Sequence, residues 1–209
     1  DPLIIVMDRT MMKRGLEDLK PLIIEMLSRD GWRINSVILE PDDFGQVHTD
    51  MAQIQAVKSQ LNSQCSVLSV GSGVVTDVAK HACYLFREET GTALPFVVYQ
   101  TANSVSAYTS NLAPVFMDGV KRTLTSRYPN ALICDLETLS AAPREMTVAG
   151  VGDMLAQYVS LPDWYLANQL GLDPGYTEFS NILLGPLNAI ILYYAGEINS
   201  SSLEGMSIL

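Results

Sequence analysis

The sequence predicts an α/β fold: a doubly wound parallel sheet followed by an all-helical region. Three observations carry this prediction. Five apolar runs of strand length alternate with amphipathic helical patterns, the connections between them are short, and beyond Pro143 only helical patterns remain. Such alternation is what a parallel sheet with helices on both faces requires. The chain has 209 residues, of which 48% are hydrophobic and 17% charged. That is ample material for a core and too little charge for disorder.

Each element can be justified in turn. "LIIVMD" (3–8) is a continuous apolar run ending in an acid, as expected of a strand buried on both faces. Leu16, Leu19, Ile23, Met26 and Leu27 then recur at helical spacing, and the pattern ends near Gly31. "SVILE" (36–40) reads as the second strand, and Met51, Ile54, Val57 and Leu61 as the second amphipathic helix. "SVLSV" (66–70) is the third strand, and Val75, Val78, Ala82, Leu85 and Phe86 mark the helix after it. "PFVVYQ" (95–100) and "NALICD" (130–135) complete the strands. Val148, Val151, Leu155 and Val159 predict one apolar stripe. Further helices are expected over 161–170, 177–197 and 202–209, interrupted at Pro162, Pro174 and Pro186, with a kink the milder outcome at Pro186. The expected domains are 1–140 and 141–209.

Composition narrows the function. The formal net charge is -10 and there is no basic run, which argues against nucleic acid as a partner. No apolar stretch approaches the ~18 residues of a membrane span. The chain opens on Asp1-Pro2 and a strand, so no signal peptide is expected. Cys65, Cys83 and Cys134 are odd in number and have no metal spacing, as expected of buried free thiols in a reducing compartment. A cytoplasmic protein is the resulting expectation.

Ligands in doubly wound folds bind at the carboxyl ends of the strands. The candidate segments therefore follow Val70, follow Gln100 and lie near Asp8. "LSVGSGVVTDVAK" (68–80) is the most suggestive. It is neither G-x-G-x-x-G, since Thr76 holds the third glycine position, nor a P-loop, since no lysine follows. Gly71 and Gly73 lack a Cβ, so backbone N–H groups could approach a pyrophosphate, and the helix beginning near Val74 would offer its N-terminal N–H groups. A tight turn that only needs positive φ explains the glycines equally well.

Three blocks together resemble a known family. "VGSGVVTDVAK" is similar to the G-G-G-x-x-x-D-x-A-K turn of the iron-containing alcohol dehydrogenase and dehydroquinate synthase superfamily. "QTANSVSAYTSNLAPVFMDGVKRTL" (100–124) and "PREMTVAGVGDMLAQYVSLPDWYLA" (143–167) resemble segments of its sn-glycerol-1-phosphate dehydrogenase branch. The resemblance implies a nucleotide-binding α/β domain holding NAD or NADP, then part of a helical domain holding a divalent metal (zinc, or else nickel or iron) and substrate. It assigns Gly71, Ser72, Gly73 and Asp77 to the pyrophosphate turn and Thr101, Ser104 and Ser110 to dinucleotide contacts. It gives Asp8 to the adenosine ribose, where an acid would disfavour a 2′-phosphate, although Arg9 could instead receive one. Asp153 matches a metal ligand and thus a catalytic and substrate-binding position. Read alone, Asp153 is an exposed helix acid.

The sequence departs from this pattern at two places. Ser106, followed by Ala107, stands where the family has the aspartate that contacts the polyol, and Asn103 replaces a usually small residue. The two histidine ligands of the family's S-G-x-E-H-x-x-S-H segment have no counterpart, because the chain has only His48 and His81, both expected to be ordinary surface or helix residues. The chain is accordingly expected to be a piece of a longer enzyme, with a natural short paralogue as the alternative. The implied function is a metal-dependent NAD(P) dehydrogenase, forming a homo-oligomer, that interconverts dihydroxyacetone phosphate and sn-glycerol 1-phosphate, a small phosphorylated ketone and polyol. The alternatives are a dehydroquinate-synthase-like sugar-phosphate cyclase and a nucleotide-binding paralogue without catalysis.

Overall fold

A computed structural model describes residues 2–209. The chain forms β1 (Pro2–Asp8), β2 (Lys13–Arg14), β3 (Glu17–Asp18), α1 (Leu19–Arg29), β4 (Arg33–Leu39), α2 (Met51–Lys58), β5 (Ser66–Gly71), α3 (Gly73–Thr90) and β6 (Phe96–Gln100). A 3-10 turn (Ser106–Thr109), β7 (Leu112–Met117), β8 (Val120–Thr125), β9 (Ala131–Cys134) and α4 (Leu136–Ser140) follow. The remainder is helical: α5 (Arg144–Leu155), α6 (Gln157–Gln169), α7 (Glu178–Tyr193), α8 (Ala195–Asn199) and α9 (Leu203–Ile208). By contacts the chain divides into two compact units. The first runs to Ala102 and resumes over Ser106–Ala142; the second comprises Asn103–Val105 and Pro143–Leu209.

The first unit holds a parallel sheet in the order β4-β1-β5-β6-β9. The five expected strands are all present. Side chains alternate across each strand, so β1 feeds two cores. Leu3, Ile5 and Met7 pack with Leu19 of α1, and Ile4 and Val6 pack with Ile54 and Val57 of α2 and Val75, Val78 and Ala82 of α3. Burial on both faces is why the runs read as continuously apolar rather than alternating.

Several details differ from expectation. Leu16 lies outside α1 and is 98% exposed, because Gly15 at φ +58° turns the β2–β3 hairpin and Asp18 holds the extended N-cap position. No helix joins β6 to β9. The connection is the β7–β8 hairpin, whose two-residue turn is Asp118 (φ 52°) and Gly119 (φ 76°). Positive φ at both central residues matches the right-handed twist of the flanking strands, which is why Asp-Gly favours this turn. Cys65 and Cys83 are buried free thiols, with burial pushing Cys83 up to about 12, but Cys134 is exposed.

In the second unit Pro162 sits inside α6 instead of ending a helix, and Pro186 inside α7. A proline removes one N–H donor and crowds the preceding turn; the helix start before it is closed, with Val159 and Ser160 both donating to the Ala156 carbonyl at 3.0 Å. The expected stripe does not face inward, since Val148 and Val159 are 52% and 65% exposed and α5 stops at Leu155. Two glycines permit close backbone approach here. A Cβ on Gly150 would lie 1.9 Å from the Asn103 carbonyl oxygen, and one on Gly205 would lie 2.3 Å from that of Glu197.

Candidate functional site

The strand order fixes where a site can form in the first unit. The chain steps from β1 out to β4 and returns to β5 on the other side of β1. The two carboxyl ends at this reversal, β1 and β5, leave a crevice between their outgoing loops. Met7 pairs with Val70, so Asp8 and Gly71 end adjacent strands.

Neither Gly71 nor Gly73 has positive φ, so the turn is not glycine-rich for conformational reasons. Gly71 is small because of Val75: a Cβ there would lie 2.6 Å from the Val75 Cβ and Cγ2. Ser72 takes the N-cap position of the 18-residue α3 in extended conformation, without a side-chain cap hydrogen bond. The Ser72 carbonyl accepts from Thr76 N–H at 3.1 Å, so the helix starts cleanly. Its first-turn N–H groups have no intrahelical partner and no cap from Ser72. A backbone that bares N–H groups at a strand end fits an anionic group such as a pyrophosphate.

Asp8 is largely buried and well engaged. Lys20 Nζ on α1 lies 2.5 Å from its Oδ1 and also donates to the Asp8 and Thr10 carbonyls at 2.7 and 2.8 Å. Thr10 donates its hydroxyl to Oδ2 at 2.9 Å. Neighbouring Arg9 is paired through two bonds, at 2.8 and 2.7 Å, with Glu40 at the end of β4. These bonds from Arg9 hold the Glu40 carboxyl below its ordinary range and the Arg9 guanidinium above its own. Sequence reasoning singled out neither Lys20 nor Glu40. Glu40 closes a strand as Asp8 does, and that was the available signal.

Asp77 is buried within α3, where burial pushes its carboxyl above the ordinary range against the opposing influence of Lys80. Lys80 Nζ lies 2.8 Å from Asp77 Oδ1 and donates to the carbonyls of Ala107 and Ser110 at 2.9 and 3.2 Å. The Asp-x-x-Lys spacing of the motif is therefore an internal ion pair one helical turn apart. Thr101 is buried just after β6. The corner there is fixed at the Ala102 carbonyl, which accepts from Gln100 Nε2 at 3.2 Å and from Tyr108 Oη at 2.9 Å. Ser110 Oγ accepts from Leu112 N–H at 3.0 Å, and Ser106 is exposed on the 3-10 turn.

Ser104 and Asp153 belong to the second unit. Ser104 is buried beside Gly150, and Asp153 is exposed one turn further along α5. Gly150 is therefore small to admit the 103–104 backbone, whereas a Cβ on Gly152 would meet nothing within 4 Å. Asp153 is one carboxylate, and a protein metal site needs about three ligands. Among the described residues no group of three or more His, Cys, Asp and Glu side chains could hold a metal ion. The residues present do not make a metal site. His48 Nε2 contacts Asp42 Oδ2 at 2.9 Å; His81 is buried in α3 and stacked on Tyr84.

The sequence profile described as iron-containing alcohol dehydrogenase matches residues 3–143. The chain is 35% identical over 166 residues to the glycerol-1-phosphate dehydrogenase (NAD(P)+) of Bacillus subtilis (strain 168), covering 79% of this chain and 41% of that protein. It is 30% identical over 188 residues to the enzyme of the same name from Geobacillus stearothermophilus, covering 90% and 45%. The chain thus spans less than half the length of these relatives. In fold it is similar to NADH-dependent butanol dehydrogenase A from Thermotoga maritima, with a TM-score of 0.70 at 17% identity over 99% of this chain and 53% of that one. It also resembles 2-deoxy-scyllo-inosose synthase solved with carbaglucose-6-phosphate, NAD+ and Co2+, with a TM-score of 0.55 at 14% identity over 75% and 42%.

Proposed function

The chain belongs to the iron-containing alcohol dehydrogenase family, and from that premise we propose that it forms the dinucleotide-binding part of an NAD(P)-dependent glycerol-1-phosphate dehydrogenase. The observation that carries the reading is the uncapped start of α3 at the end of β5, beside Asp8 on the neighbouring strand. The relatives' names supply glycerol 1-phosphate as the substrate, and sn-glycerol 1-phosphate with dihydroxyacetone phosphate, its oxidised ketone, is the pair we propose.

When bound, the reduced dinucleotide supplies a hydride to the ketone carbon, and a proton completes the alcohol. In this reading the residues of the chain bind and orient. The Gly71–Gly73 backbone holds the pyrophosphate, and Thr101 and Ser110 contact the remainder of the dinucleotide; the family pattern adds Ser104, a residue of the second unit. Asp8, anchored by Lys20, receives the adenosine ribose. Arg9 is neutralised by Glu40, which favours NAD(H) over NADP(H) at this end. Ser106 offers the substrate a neutral hydroxyl. Asp153 is one carboxylate toward a metal site whose other ligands these residues do not supply, so no step is routed through a metal. The three free thiols support a reducing cytoplasmic setting, and a homo-oligomer belongs to the same reading.

Calorimetric titration with NADH and NADPH tests the proposal. Binding of NADH, weakened by Asp8→Ala, is expected. Failure of the folded chain to bind either dinucleotide would sink it.

A further inference from the structure

We infer that Lys80 is a positioning residue for dinucleotide binding: from within α3 its ammonium fixes the 106–110 loop relative to the glycine turn that starts the same helix. The inference rests on the dinucleotide reading above and deepens it. Lys80 is 0% exposed, among the largest fully buried side chains of the described residues. Packing alone does not account for this, because lysine is almost never fully buried unless paired. The Lys80 ammonium donates to two carbonyls, Ala107 O and Ser110 O, and forms an ion pair with Asp77 Oδ1 at 2.8 Å.

Two of these acceptors are backbone carbonyls of one short loop. A loop whose carbonyls converge on a buried cation is held by its main chain, so its side chains are presented in a fixed frame. Its other bonds include local ones: Tyr108 Oη reaches back to the Ala102 carbonyl, and Ser110 Oγ accepts from Leu112 N–H. Lys80 ties this loop by charge-assisted bonds to the helix that begins at Gly73, alongside the apolar packing of Tyr108 in the same core cluster as that helix. Asp77 lies in the same helix, about one turn from both Gly73 and Lys80, and supplies the countercharge that a buried ammonium requires. Asp77 therefore acts through Lys80. The glycine turn and the loop bearing Ser106 and Ser110 become one preorganised surface, which lowers the ordering cost of binding.

The test compares the full chain with the double variant Asp77→Asn/Lys80→Met. Lys80→Met alone would strand a buried carboxylate, whereas removing both charges at similar volume preserves the fold more readily. NADH affinity is measured by calorimetry at a temperature where circular dichroism shows both proteins folded, alongside amide hydrogen exchange. The expected result is faster exchange confined to residues 105–112 and an NADH Kd raised about tenfold or more. A folded double variant that binds NADH within about twofold of the parent, or that exchanges faster throughout α3, overturns the inference. Should the double variant not fold, Asp77→Asn/Lys80→Gln restores an N–H donor and is judged by the same criteria. If the parent binds neither NADH nor NADPH, the dinucleotide reading fails and this inference with it. If the parent binds and the variant binds equally, only this inference fails.

Discussion

Gly71, Gly150 and His81 show how single side chains are constrained by what lies behind them. A methyl at Gly71 collides with the β-branched Val75, which cannot withdraw without moving the helix backbone. Gly71→Ala should cost about 1–3 kcal/mol by overpacking, measured by urea denaturation. Gly150→Ala meets a carbonyl oxygen at 1.9 Å, so it should lower the stability of the second unit and also displace Asn103; loss of α5 protection in hydrogen exchange would register this. His81 is held below its ordinary value by burial and then by Lys80. The unfolded chain therefore binds a proton more readily than the folded one. The stabilising contribution is present above the unfolded value of about 6.5 and is lost as pH falls through that value toward the folded one. Among the described residues His81 Nδ1 has no hydrogen-bond partner, so His81→Phe should fold and should show a smaller loss of denaturation midpoint between pH 7.5 and 5.5 than the parent. Equal losses would contradict the assignment. The sequence pointed to the two glycines of the turn, yet it could not reveal Val75 as the reason for one of them.

At the scale of elements, the β7–β8 hairpin and α6 carry the clearest expectations. Gly119 at φ 76° occupies a conformation that strains any residue with a Cβ, so Gly119→Ala should cost about 1 kcal/mol in thermal or urea unfolding. Asp118→Asn should be nearly neutral, because asparagine tolerates the left-handed region. Pro162 lies within α6, where an interior proline costs about 3 kcal/mol. Pro162→Ala should therefore add stability and helical ellipticity; a loss of either would show that the proline serves a contact of its own. The five sheet strands were legible because burial on both faces leaves unbroken apolar runs. The hairpin was also legible in principle, through Asp118-Gly119 between strand-forming residues, but its segment was read for ligand contacts. The stripe over 148–159 failed for another reason. Periodicity reports an apolar face and not what covers it, and Ala156 ends the helix on which that face was drawn. For the site, the glycine turn and Asp8 were visible as strand-end residues, whereas the roles of Lys20 and Lys80 depend on contacts 10 to 30 residues away.

Across the whole molecule the two units differ in how they are stabilised. The first has two cores, one on each face of its sheet. The second exposes an apolar run along α7, with Phe179, Ile182, Leu183 and Tyr193 between 56% and 83% exposed. Exposed apolar patches of this kind mark interaction surfaces or association hazards. Ile182→Glu combined with Leu183→Lys should reduce binding of the dye ANS and raise solubility while leaving the melting temperature nearly unchanged, since neither side chain is buried. A sharp fall in melting temperature would show that these residues are packed in solution.

The course of the chain between the units has a consequence for their portability. Asn103–Val105 leaves the first unit to join the second and then returns. Asn103 donates to the Met206 carbonyl at 3.1 Å, and its own carbonyl occupies the space left by Gly150. The first unit is therefore not a cassette that can be excised by one cut. A protein ended at residue 142 would keep this three-residue strap but lose the surface into which it is threaded. The two units are interleaved in the gene, and a graft or chimera has to exchange the strap together with residues 143–209 or neither.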